Sequence, residues 1–177
     1  TMTDWAHYAN GGPRCMVADM DINYCDKKLV VATQGRGLWE VDLLDGKEQV
    51  LDVAGGGTII WDTDRKLTSD LRIASGTTLE INGGTAVDGI TIGITEDVKI
   101  IIEPGATMIV DNSTLTSSCG KFWKGIRVWG DASKSQDATP QEQGKLIIRN
   151  NSNIEYARNA VKLGKDGDWQ QLYNGGI

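Results

Sequence analysis

Three side chains in the middle of the chain have the makings of a binding surface: Trp123, Arg127 and Trp129. Along an extended backbone they share parity, opposite to Ile126 and Val128. A strand that buries the two aliphatics therefore turns both indoles and the guanidinium outward. The CH faces of a sugar ring stack on aromatic planes, which makes this trio the candidate glycan-binding set. The competing reading is that the polar insert at 131–144, DASKSQDATPQEQG, folds back over them as a lid, because large aromatics are seldom left bare.

Residues able to do covalent or acid–base chemistry are poorly grouped. A polysaccharide lyase needs a basic residue to take a proton beside a carboxylate, usually next to Ca²⁺ held by several acidic groups. A glycosidase needs two carboxylates across the scissile bond. Lys124 and Arg127 could serve the first, but Glu103 has Ala74 at its matching place in the repeat described below. The pairs Asp19/Asp21, Asp62/Asp64 and Asp166/Asp168 read as solvated turn acids, without the further ligands of a Ca²⁺ loop. His7 is the single imidazole, and Cys15, Cys25 and Cys119 fit no metal spacing. Cys15 and Cys25 flank a strand and either bridge or remain separate thiols. No catalytic residue, metal ligand or cofactor is assigned.

The elements that must position these residues are short strands between tight turns. Residues 100–130, IIIEPGATMIVDNSTLTSSCGKFWKGIRVWG, alternate apolar and polar and hold no helical period. An internal repeat sets apolar-x-x-Gly corners in step: residues 73–81, IASGTTLEI, match 102–110, IEPGATMIV, at an offset of 29 that superposes Gly76 on Gly105. A glycine there lets the chain bend sharply before inward side chains resume. A second match sets 109–115 on 148–154 at an offset of 39, placing Asn112 on Asn151; the longer step contains the polar insert. Stacked corner asparagines can form a hydrogen-bonded ladder and tolerate left-handed backbone; two unrelated surface turns is the other reading. The expected fold is all-β, a right-handed parallel β-helix over 55–177 preceded by a partial β-propeller blade and connector over 1–54. An antiparallel sandwich is the competing architecture. Residues 45–57 read as a turn-rich connector.

The first quarter of the chain carries a resemblance. Residues 29–43, LVVATQGRGLWEVDL, with Gly35, Arg36, Gly37 and Trp39 at and after a tight turn, resemble the end of the last blade of sortilin-like or BNR-type β-propellers. Trp5 and Tyr8 ahead of the glycines at 11–12 sit where the lead-in to that blade lies. Residues 123–130, WKGIRVWG, and 153–161, NIEYARNAV, resemble coil-forming segments that follow such modules in large secreted proteins of Bacteroidetes. The resemblance implies an extracellular or cell-surface location, type IX secretion and membership of a larger polypeptide. Three strands alone cannot cover both faces of a sheet, so the rest of that polypeptide or another chain is the expected partner.

Composition agrees with a globular, partly buried chain: 177 residues, 40% hydrophobic, 24% charged, with 22 glycines. The net charge of −6 is dispersed, which argues against nucleic acid or anionic lipid as partner. No apolar run is long enough for a transmembrane segment. The expected role is that of a non-catalytic structural, adhesive or carbohydrate-binding module; the alternative is a fragment of a β-helix polysaccharide lyase or glycoside hydrolase.

Overall fold

Short runs of alternating apolar residues, many of them closed by a glycine or asparagine corner, favour strands over helices. The computed structural model describes residues 15–43, 47–85, 87–137, 142–165 and 176–177, and every regular element among them is a strand. The chain divides into two units, 1–45 and 46–177.

In the first unit β1 (Val17–Asn23), β2 (Lys28–Thr33) and β3 (Gly37–Asp42) form an antiparallel sheet in the order β1-β2-β3. The turn between β2 and β3 uses positive φ at Gly35 (79°) and Gly37 (78°), with Arg36 exposed between them. The Trp39 indole N–H returns to the Arg36 carbonyl at 3.0 Å and ties the turn to the strand. Lys28 on β2 pairs with Glu40 on β3, and that carboxylate holds the ammonium pKa above its ordinary value. β1 is exposed along its whole length.

The second unit holds β4 (Gln49–Leu51), β5 (Gly57–Trp61), β6 (Arg65–Leu67), β7 (Leu71–Ile73), β8 (Thr77–Asn82), β9 (Ile90–Ile94), β10 (Lys99–Ile102), β11 (Thr107–Asp111), β12 (Ser113–Ser117), β13 (Gly125–Val128), β14 (Lys145–Arg149), β15 (Asn153–Ile154) and β16 (Val161–Leu163). Each strand pairs, in parallel, with the strand three places further on. The result is three sheets, ordered β16-β13-β10-β7-β4, β14-β11-β8-β5 and β15-β12-β9-β6. Such rotation among three parallel sheets is compatible with a β-helix-like winding, and it sets aside the antiparallel sandwich. β4 falls inside the stretch that reads as a connector; three residues are too few for periodicity to reveal a strand.

The 29-residue repeat is a pairing register. Ile73 lies opposite Ile102, Leu79 opposite Met108 and Ile81 opposite Val110. The corners between these strands close when the Thr77 N–H donates to the Ala74 carbonyl (3.0 Å) and the Ala106 N–H to the Glu103 carbonyl (2.9 Å). Gly76 (φ 80°) and Gly105 (φ 77°) occupy the third position of each turn, where a type II turn requires positive φ. The Gly76 N–H donates to the Gly105 carbonyl at 3.0 Å, so the corners stack.

Inward side chains fill the space between the three sheets. Leu71, Ile73, Ile100, Ile102, Ile126 and Val128 come from the first, Leu79, Ile81, Met108 and Val110 from the second, and Ile92, Ile94 and Leu115 from the third. Each fully buried side chain contributes roughly 1.5–3 kcal/mol by leaving water. The outward positions of the same strands carry the groups available for function.

Candidate functional site

The expected outward trio does not form a surface. Trp123 is fully buried and belongs to the core, with its indole N–H donated to the Glu155 carbonyl at 2.8 Å. The parity argument fails because β13 begins at Gly125: Trp123 lies outside it, in an isolated bridge with Ala157, and alternation holds only within a continuous strand. Arg127 does point away from Ile126 and Val128, yet it is only 6% exposed. Trp129 is half-buried, with the Arg72 guanidinium 5.6 Å and the Lys165 ammonium 4.9 Å from its ring centre. Both cations are within cation–π range, so the ring already has partners. Arg72 in turn bonds Glu48 (2.8 Å) and Glu103 (3.2 Å), and Glu48 first, then Glu103, raises its pKa against the cost of burial. This outer face of the first sheet is a packed ionic row.

The polar insert is tied down at its base. Gln143 is buried, accepts the Asp131 N–H (2.7 Å) and donates to the carbonyls of Asp131 (2.8 Å) and Lys134 (2.9 Å). Ser133 donates to the Asp131 carboxylate and lowers its pKa.

A cavity of about 410 Å³ opens instead at the corner between the second and third sheets, lined by Val87, Asp88, Asn112, Ser113, Thr114, Asn151 and Asn153. Asn112 and Asn151, matched in the repeat, thus do meet at one corner, both at positive φ (44° and 61°). The register refines the match. Ile109 pairs with Ile147, not Ile148, at an offset of 38, whereas Thr114 pairs with Asn153 at 39. One extra residue is absorbed at the turn, where Asn150 and Asn151 both adopt left-handed backbone in place of Asn112 alone. Asparagine suits this role because its short side chain tolerates that conformation.

Hydrogen bonds hold the corner. The Asn112 amide donates to the Gly84 carbonyl (3.2 Å), the Ser113 hydroxyl to the Asp111 carbonyl (2.6 Å), and the Asn153 amide, at 3.5 Å, to the Asn151 carbonyl. Asp111 receives the Asn150 amide (2.7 Å) and the Arg149 guanidinium (2.6 Å), and both lower its pKa, Asn150 foremost. A Cβ on Gly83 or Gly89 would fall 1.9 Å from the Asn112 carbonyl oxygen, so glycine permits this close approach.

Val87, Asp88, Ser113, Thr114 and Asn153 carry no site assignment from sequence. One signal points to them. β8 and β11 pair at an offset of 29, β9 and β12 at 23, so the connection at 83–89 carries six extra residues relative to the next corner. Val87 and Asp88 of that connection line the cavity.

Among the cysteines, Cys15 is not part of a disulfide, whereas Cys25 and Cys119 are disulfide-bonded. A Cys15–Cys25 bridge is therefore not the pairing. Trp5, His7, Tyr8, Asp166 and Asp168 lie outside the described residues. Among the described residues, no three His, Cys, Asp or Glu side chains are grouped to hold a metal ion, and no helix is long and apolar enough to cross a membrane. No protein family, curated protein or solved structure matches the chain.

Proposed function

We propose that residues 55–177 form a right-handed parallel β-helix serving as a non-catalytic, glycan-contacting structural module of a larger secreted surface protein. Right-handedness follows from the general preference of parallel crossover connections. The observation carrying the proposal is the corner cavity, lined by three amides, two hydroxyls, one carboxylate and Val87 where stacked strands begin. Such groups exchange hydrogen bonds with sugar hydroxyls, and a rigid scaffold spares the ordering cost of binding. The glycan site is accordingly placed at Asn112, Thr114, Asn151 and Asn153 rather than at the indoles.

An extracellular setting is supported by the disulfide-bonded Cys25 and Cys119, since disulfides persist in oxidising compartments. The antiparallel sheet of the first unit is read as a partial propeller blade of the sortilin-like or BNR type. Exposed Met20, Leu38 and Trp39 on that sheet support the need for a neighbour within the same polypeptide or on another chain.

Retention on immobilised neutral, aminated and acidic polysaccharides tests the binding role. The Asn151→Ala/Asn153→Ala double variant is expected to lose about tenfold in retention, two hydrogen bonds at roughly 0.5–1.5 kcal/mol each. Trp129→Ala, on the ionic row, is expected to lose far less. Failure of the unaltered protein to bind any of the three classes would refute the reading, as would full retention by the double variant.

A further inference from the structure

Among the described residues, Asp88 is the one charged side chain lining the corner cavity, and it makes no ion pair. Three of the polar groups around it each commit one donor to the backbone. Asn112 and Asn153 direct amide N–H bonds at the Gly84 and Asn151 carbonyls, and Ser113 directs its hydroxyl proton at the Asp111 carbonyl. The nearby Arg149 is turned to the outer face of the second sheet, where Asp111 and Glu80 hold it.

We infer that the cavity selects sugars bearing a protonated amine over neutral and acidic ones. This rests on reading the corner as the glycan site, and adds the chemical class of sugar it takes. An ammonium supplies donors and a positive charge to a site offering acceptors and a carboxylate. A uronate or sulfate would bring a second negative charge against Asp88 inside a chain whose net charge is already −6. A neutral sugar satisfies the hydrogen bonds but leaves the carboxylate without a counterion.

Calorimetric titration at low salt and about pH 5.5 would compare a glucosamine hexamer, its fully N-acetylated counterpart and a hexagalacturonate. The expected result is a three- to fivefold preference for the free amine over the acetylated hexamer, the size of one partly exposed ion pair, with the uronate weakest. Asp88→Asn should bring the ratio of the first two to about one, whatever happens to either affinity. Asn151→Asp should widen it. Equal binding of the amine and acetylated hexamers by the unaltered protein overturns the inference and leaves glycan binding standing; so does a preference that survives in Asp88→Asn. Absence of binding to all three removes the glycan reading and this inference with it.

Discussion

Gly125 and Gly76 both sit at positive φ, 90° and 80°, yet replacing them should have very different consequences. A Cβ on Gly76 would have Gly56 Cα at 3.8 Å as its nearest neighbour, an ordinary contact, so Gly76→Ala pays mainly for the left-handed backbone, about 1–2 kcal/mol. A Cβ on Gly125 would lie 1.6 Å from the Asn159 carbonyl oxygen and 2.7 Å from its carbon. No rotamer relieves a clash with backbone. The segment before β16 would have to withdraw, and with it the pairing of Ile126 with Val161 and Val128 with Leu163. Adding lost pairing to the φ strain brings the expected cost of Gly125→Ala to roughly 4 kcal/mol, in the range reserved for a specific structural insult. Urea unfolding followed by tryptophan emission reads the global cost. Hydrogen exchange at residues 161–163 reads the local one, since a frayed last strand could spare the global transition. Gly125→Ala should strip protection from those amides while Gly76→Ala keeps it. Equal stability and equal protection in the two variants would refute the packing of the 159–160 turn over Gly125.

Two further expectations follow from the same geometry. Trp123→Ala should destabilise by about 3–5 kcal/mol through the cavity left in the core, and Trp123→Phe by roughly 1–2 kcal/mol through the unpaired Glu155 carbonyl; a near-neutral Trp123→Ala in thermal unfolding would return that ring to the surface. Asp111 has its pKa lowered from 3.8 by Asn150 and Arg149, so its contribution is complete above about pH 5 and is lost as pH falls below 3.8 through the lowered value. Acid titration followed by circular dichroism should therefore show a shallower loss of stability below pH 4 in Asp111→Asn than in the unaltered protein, and parallel acid limbs would contradict the Arg149 and Asn150 bonds.

Much of the scaffold was legible because it is written in local chemistry. Alternation at 17–22 and 38–43 and the β-rich run at 29–33 mark the three antiparallel strands, since side chains on a strand repeat every two residues and β-branched residues favour strands. The spacing of Gly76 and Gly105 gives the register of β7 and β8 on β10 and β11, because the same turn recurs at the same place in each circuit. The site was less legible. Trp123 obeys the parity of Arg127 on paper, but whether a strand runs unbroken from 123 to 129 depends on the Ala157 bridge, a contact made 34 residues away. The one-residue slip at Asn150 is likewise invisible until pairing partners on either side of the corner are known.

By itself, the amino-acid order determined strand-forming character, the positions of the corners and the period that brings Ile73 under Ile102, because backbone preference and alternation act over a few residues. Only the tertiary structure decided which outward groups stay in water. Arg127 points away from the core yet is buried, Trp129 is claimed by Arg72 and Lys165, and the polar cavity forms where Val87 and Asp88 meet the corners at Asn112 and Asn151. Exposure is a property of neighbours, and in stacked parallel strands those neighbours lie some twenty to forty residues away along the chain.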